Sequence, residues 1–154
     1  MTAYSIVLSI HNLVRWVALI LGILAVVRMY IGWFRKQLWI PADKKIGSYY
    51  TIALDIQFLL GLILFLFLSP FGLQAYLKFG AGYVMQQADF RFFGFEHVLY
   101  MVLAIVLGHL GSVFSRRAEK PLDKHRRGAI FYTLSVLLLL LGMPWGRPVF
   151  PTLR

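Results

Sequence analysis

The chain has 154 residues, of which 60% are hydrophobic and only 14% charged, and its mean hydropathy is +0.73. This composition excludes an ordinary soluble domain and indicates a membrane protein, and the absence of cysteine excludes disulfides, cysteine-ligated metal centres and covalently attached c-type haem. The formal net charge of +10 comes mostly from two short stretches between apolar runs, which argues against nucleic-acid binding.

Four apolar segments are long enough, with their flanks, to cross a bilayer: residues 4–34, 49–68, 92–114 and 129–143. They predict a single all-α integral membrane domain over residues 1–154, an antiparallel up-down-up-down bundle of four transmembrane helices. The first segment lacks a basic start and a small-residue cleavage site, so we expect a retained helix rather than a signal peptide.

The connection between the second and third segments, residues 69–90, is too apolar for a free loop and too interrupted to span the membrane. It is predicted to lie in the membrane interface. Two roles fit this segment, a lid that packs over the bundle and a gate beside a quinone-sized pocket.

The basic residues predict the orientation, because Lys and Arg accumulate in short cytoplasmic connections. Residues 35–48 and 115–128 contain most of them: Arg35, Lys36, Lys44, Lys45, Arg116, Arg117, Lys120, Lys124, Arg126 and Arg127. We therefore expect these two loops to be cytoplasmic, both termini to lie outside, and the protein to reside in a bacterial cytoplasmic membrane.

Two histidines on different predicted helices share one depth. A rise of about 1.5 Å per residue places His11 and His97 both roughly 10 Å from the outer surface, with Arg15 one turn deeper than His11. Two neutral imidazoles at one level are the axial ligands that a b-type haem requires. The spacing thus predicts one haem whose iron is held by His11 and His97.

Other residues fit a haem at this level. Small residues leave space for the macrocycle on the two helices, and Arg15, Arg91 and Arg147 are cations for its propionates. Two alternatives stay open: a structural network in which Arg15 pairs with Glu96, and a proton or metal site. The small residues are Ala18, Gly22, Gly94, Ala104 and Gly108.

A second polar layer is predicted in the inner half of the bundle, where Arg28, Asp55, Gln57 and His109 share a depth. One interpretation is a buried pair of Arg28 and Asp55, and the other is a quinone or proton site. A second haem is disfavoured because the partner available to His109 is His125, which is expected at the membrane surface or the inner end of the bundle.

Several short motifs carry a family resemblance: His11-Asn12 with Arg15-Trp16, Asp55-x-Gln57 with Gly61, Arg91-Phe92 with Glu96-His97, Lys124-His125-Arg126, and Met143-Pro144-Trp145. Together they resemble small four-helix bacterial membrane proteins described as cytochrome-b-like. The resemblance spans most of the chain and implies a haem-binding electron carrier. It carries over His11, Glu96 and His97 as functional positions, whereas Asp55 stands where relatives have His.

These features together predict a b-type cytochrome that transfers electrons between membrane quinone and another membrane redox protein. In that role a neighbouring acceptor orients each ligating imidazole, and Glu96, Asn12 or a backbone carbonyl is a candidate. The main alternative is a cofactor-free accessory or structural subunit of a larger membrane complex. A proton-coupled carrier is the third hypothesis, disfavoured because the chain has no duplicated halves.

Overall fold

The computed structural model describes residues 2–147, and within them it contains helices and no strands. The α-helices are α1 (Ala3–Phe34), α2 (Pro41–Ile63), α3 (Leu73–Gln86), α4 (Ala88–Arg91), α5 (His97–Arg117) and α6 (Pro121–Gly142). A π-helical turn, Leu64–Leu68, extends α2, and a second one, Phe92–Glu96, joins α4 to α5. The predicted all-α class is confirmed.

Local chemistry explains where the long helices begin. The Thr2 side chain caps α1 by accepting a hydrogen bond from the Ser5 backbone at 3.3 Å. Pro41 and Pro121 occupy the first positions of α2 and α6, where the missing N–H costs nothing. Both helices therefore begin well before the apolar segments that predicted them.

The four long helices contact one another in a ring, α1 to α2, α2 to α5, α5 to α6 and α6 to α1. The buried core lies along their shared axis and includes Met29, Tyr50, Leu54 and Tyr132. Gly22 permits close packing here, since a Cβ at this position would lie 2.8 Å from both Tyr50 and Val136. Within this ring, α2 and α5 are the least closely packed neighbours.

Three helical stretches of residues 2–147 are long and apolar enough to cross a membrane: Ala3–Phe34, Pro41–Leu68 and Ala88–Arg117. Their outward faces expose large aliphatic side chains such as Ile20 and Leu59. The fourth predicted span is the apolar part of α6, whose first two turns carry Asp123, Lys124, Arg126 and Arg127.

The predicted interfacial connection, residues 69–90, contains α3 and α4. It bends at Gly80, whose φ of 80° favours glycine. Ala75 and Val84 are buried, and the Tyr76 hydroxyl donates to the Gly94 carbonyl at 3.2 Å. The segment therefore packs against the end of the bundle. The chain ends that were predicted to face the exterior, residue 1 and residues 148–154, lie outside the described residues.

The predicted Arg28–Asp55 pair is wrong. Arg28 Nε donates to Asp43 Oδ1 at 2.5 Å, and Arg28 Nη1 donates to Gln37 Oε1 at 2.8 Å. Asp43 belongs to the first turn of α2, where its other oxygen accepts from the Ile40 backbone at 2.8 Å. Because α2 begins at Pro41, its first turn lies beside the last part of α1, and Asp43 is available there.

Candidate functional site

A cavity of about 390 Å³ lies at the end of the bundle that carries α3. Its walls are mainly apolar residues of α1, α2 and α5, and Ser69, Phe71 and Gly72 of the 69–90 connection close one side. The polar groups in its wall include His11, Asn12, Arg15, Gln57, His97 and Arg147. Cofactor sites commonly have this character, an apolar cavity of about 300–1,000 Å³ with a few polar groups.

The predicted meeting of His11 and His97 occurs in this cavity. Their ring centres are 6.3 Å apart, and the ring planes make an angle of 68°. His97 Nδ1 lies 2.7 Å from the Gly142 carbonyl oxygen, which can only accept. Nδ1 therefore carries the proton, and in the neutral ring Nε2 keeps a free lone pair, the form in which histidine binds a metal.

Gln57 contacts the other imidazole. Its amide nitrogen lies 3.1 Å from His11 Nε2, and an amide can present either its oxygen or its nitrogen to a ring nitrogen. His11 Nδ1 and Gln57 Oε1 are buried and have no hydrogen-bond partner among the described residues. Buried polar atoms are normally paired, so these two atoms indicate a polar ligand or water in the cavity.

Arg15 places a buried cation in the same wall. Its side chain is 9% exposed, its Nε has no hydrogen-bond partner among residues 2–147, and none of the lining residues is acidic. The guanidinium lies 5.6 Å from the Trp16 ring centre. A buried charge is costly without a counter-charge, so the cavity favours an anionic ligand group.

Arg147 adds a second cation near the 69–90 connection. Its guanidinium carbon lies 4.3 Å from the Phe93 ring centre and 5.3 Å from that of Phe71. Arg147 Nη2 also lies 3.6 Å from the exposed Asp89 carboxylate. Two aromatic rings and an aspartate therefore hold this cation at the cavity wall.

Arg91 and Glu96, both predicted near the cofactor, bind each other instead. Arg91 Nε donates to Glu96 Oε1 at 2.7 Å, and neither residue lines the cavity. The π-helical turn between them explains this pairing, because it brings residues five positions apart to the same side of the helix. The alternative pair of Arg15 with Glu96 is therefore absent from the described structure.

The predicted inner site of Arg28, Asp55, Gln57 and His109 is not assembled. Asp55 Oδ1 pairs with His109 Nε2 at 2.8 Å on the outward face of α2 and α5. Two residues along a helix correspond to about 200° of rotation, so Gln57 points inward to His11 when Asp55 points outward. Arg28 is held by Asp43 at the other end of the bundle.

His125 is fully buried at the end of the bundle opposite the cavity. Its ring packs 5.0 Å from the Trp39 ring, and its Nε2 lies 3.8 Å from Asp43 Oδ2. A Cβ at Gly32 would overlap the imidazole, so the glycine makes room for it. His125 therefore contacts this end of the bundle, and its expected position at the membrane surface stays a prediction.

Gly142 and Gly61 were not predicted as site residues. The Gly142 carbonyl orients His97, and a Cβ at Gly61 would lie 3.2 Å from His11 Cε1. The sequence offered one signal for Gly142, the Gly-Met-Pro that ends the last apolar run, since a helix ending there leaves carbonyl groups unpaired.

The donor set fits a haem better than a bare metal ion. The described residues contain no group of three or more His, Cys, Asp and Glu side chains that could hold an ion. The unpartnered His11 Nδ1 and the Nε2 lone pair of His97 are the nitrogen donors that could hold a haem iron. The macrocycle would supply the remaining ligands, and its carboxylates could pair with the buried Arg15, whose Nε has no hydrogen-bond partner among residues 2–147.

Comparison with known proteins gives no further assignment: no protein-family model, curated protein or solved structure matches the chain.

Proposed function

We propose that this protein is a membrane b-type cytochrome that carries single electrons and exchanges them with the quinone pool. The observation that supports this most is the His11–His97 pair, 6.3 Å apart in a cavity whose buried Arg15 has no acidic partner among residues 2–147. The sequence resemblance to cytochrome-b-like membrane proteins agrees with the proposal. The second electron-transfer partner, besides quinone, would be another membrane redox protein.

The polar groups at the cavity have distinct roles in this proposal. His11 and His97 hold the iron, and the Gly142 carbonyl fixes the tautomer and orientation of His97. Arg15 and Arg147 pair with the propionates. When bound, haem b supplies one-electron redox chemistry, and the apolar walls limit access of water.

One haem per chain follows from where the other histidines lie. His109 pairs with Asp55 on the outward face, and His125 is buried at the opposite end of the bundle. No second pair of histidines meets in residues 2–147.

The proposed topology has four spans, with α6 as the fourth. This helix packs against both α1 and α5, and from Gly128 onward it carries no charged residue. The two basic connections lie at one end of the bundle, since Arg116 Nη2 donates to Ser48 Oγ at 2.9 Å. We place that end in the cytoplasm of a bacterium and the termini outside.

The visible absorption spectrum of the detergent-purified protein tests the proposal. A b-type haem with two histidine ligands gives a red-shifted Soret band and sharp α and β bands after dithionite reduction, and pyridine extraction should give about one haem per chain. A protein that remains colourless after haem supplementation contradicts the proposal. That result favours the cofactor-free accessory subunit, in which the histidines only connect helices.

A further inference from the structure

Part of the cavity wall between α2 and α5 is exposed. Phe58 and Leu62 of α2 and Val102 of α5 line the cavity, and they are 39%, 37% and 39% exposed. These residues belong to α2 and α5, the least closely packed neighbours in the ring. A molecule dissolved in the membrane can therefore approach the cavity between these two helices.

The Asp55–His109 pair lies beside this opening. Asp55 is one helical turn from Phe58 on α2, and His109 is one turn from the cavity-lining Ile105 on α5. Their side chains are 50% and 46% exposed, and Asp55 lies near the middle of the Pro41–Leu68 stretch. Two ionisable groups therefore face the lipid at the inner edge of the opening.

Ionisable groups inside a membrane are rare and costly, and they usually face a protein interior or a water-filled space. Here the remaining hydrogen-bonding atoms, Asp55 Oδ2 and His109 Nδ1, have no partner among the described residues. We propose that Asp55 and His109 bind the headgroup of a quinone or quinol that enters from the lipid between α2 and α5. The proposal rests on the quinone-linked function proposed above, and it assigns the quinone to two of the four residues of the predicted inner cluster, which meet on the outward face rather than inside the bundle.

The pair can complement both redox forms of such a ligand. With Asp55 ionised and His109 donating Nε2–H to it, Asp55 Oδ2 and His109 Nδ1 are both acceptors, which suits the hydroxyl of a quinol. With one more proton on the pair, His109 Nδ1 carries a hydrogen and becomes a donor, which suits the carbonyl of a quinone. The apolar tail would lie along the exposed aliphatic residues of α2 and α5.

Binding of a short-chain quinone and its quinol to the purified full-length protein, measured by calorimetry in detergent, tests this site. We expect Asp55→Asn and His109→Gln each to weaken binding of one or both forms about tenfold, the loss of one hydrogen bond to a charged group. Val102→Trp should also weaken binding because it fills the opening. The matched controls are Asp123→Asn at the opposite end and Val27→Trp on the outward face of α1, which should bind like the unchanged protein.

Equal binding in all variants overturns the site. Size-exclusion profiles identify any variant that fails to fold, and Val102→Trp tests the same opening without altering the charged pair. If Asp55→Asn and His109→Gln dissociate an oligomer but leave quinone binding unchanged, the pair belongs to an interface between copies and the proposal is wrong. If the protein is colourless but quinone binding changes in the variants as expected, the haem proposal is wrong and the quinone site stands. If the protein contains haem but the variants bind quinone like the unchanged protein, the quinone site is wrong and the haem proposal stands.

Discussion

The imidazole rings of His11 and His97 lie across the centre of the helical ring, with their centres 6.3 Å apart and their planes at an angle of 68°. α1 and α5, which carry them, lie diagonally in that ring, and the other two long helices provide their partners. Gln57 of α2 contacts His11, and the Gly142 carbonyl of α6 accepts from His97. All four long helices therefore converge on this pair.

Removal of either ring should abolish haem binding. We expect His11→Ala and His97→Ala each to lose the low-spin haem absorbance, because an iron with one axial imidazole has lost half of its protein ligation. His109→Ala is the control, since its ring lies on the outward face with Asp55. Reduced-minus-oxidised spectra of the three variants make the comparison, and identical spectra would show that the ligands are wrongly assigned.

Arg15 should determine how tightly haem is held. Arg15→Gln removes the buried cation that would pair with a propionate, so we expect haem affinity to fall roughly 10- to 100-fold, the value of a charge-assisted hydrogen bond. Arg91→Gln is a matched control because Arg91 pairs with Glu96 away from the cavity. Titration of haem into the apoprotein measures both. A larger effect at Arg91 would instead support the earlier, sequence-based assignment of that residue.

Haem binding should also depend on the space that Gly61 leaves beside the His11 ring. A Cβ at Gly61 would lie 3.2 Å from His11 Cε1, so Gly61→Val should push the ring out of position and reduce haem per chain, with a loss of about 1–3 kcal/mol in the free energy of unfolding. A Cβ at Gly82 would meet nothing within 4 Å, so Gly82→Val serves as the control. Equal haem content in the two variants would contradict the role of Gly61.

Three of the four spans and the meeting of the two histidines could be predicted because both depend on position along a helix. Apolar length locates a helix, and the distance of a residue from the helix end gives its depth, so His11 and His97 were placed at one level. The structure brings them together. Depth alone also suggested that Arg28, Asp55, Gln57 and His109 would meet, but of these four residues only Asp55 and His109 do.

The direction in which each side chain points around the helix axis explains why depth predicted the histidine pair but not the four-residue cluster. Asp55 and Gln57 have nearly the same depth but point to opposite faces of α2, so one reaches His109 and the other His11. Helices that are apolar on most of their surface give little signal of which face turns inward. The Arg28–Asp43 pair was missed for another reason, because α2 begins before the apolar segment that predicted it.

A buried hydroxyl network should contribute to the stability of the bundle. Ser135 donates its single hydroxyl hydrogen to the Ala104 carbonyl at 2.6 Å, so Tyr50 must donate to Ser135 Oγ, 2.7 Å away. Ser135→Ala leaves the buried Tyr50 hydroxyl without an acceptor and should cost about 1–3 kcal/mol, whereas Tyr50→Phe should cost about 1 kcal/mol. Unfolding of both variants in detergent with increasing SDS compares these free energies. A larger loss in Tyr50→Phe would contradict the assigned direction of the hydrogen bonds.

The Arg28–Asp43 pair should stabilise the fold more than an ion pair at the surface. Asp43 is completely buried and accepts from Arg28 and from the Ile40 backbone. Asp43→Asn keeps the shape but removes the counter-charge of Arg28, and we expect a loss of about 2–3 kcal/mol. The expected loss in the free energy of unfolding is at or below the smallest values for breaking a fully buried ion pair, because the Arg28 side chain is 30% exposed.

Asp123→Asn provides the matched comparison at the same end of the bundle. Asp123 pairs with Arg126 at 3.1 Å, but the two side chains are 30% and 50% exposed. Solvent screens such a pair, so the variant should change the free energy of unfolding by about 0.5 kcal/mol or less. If the two variants lose equal stability in the same SDS titration, burial of Asp43 does not strengthen its interaction with Arg28, and this end of the bundle must be stabilised chiefly by apolar packing.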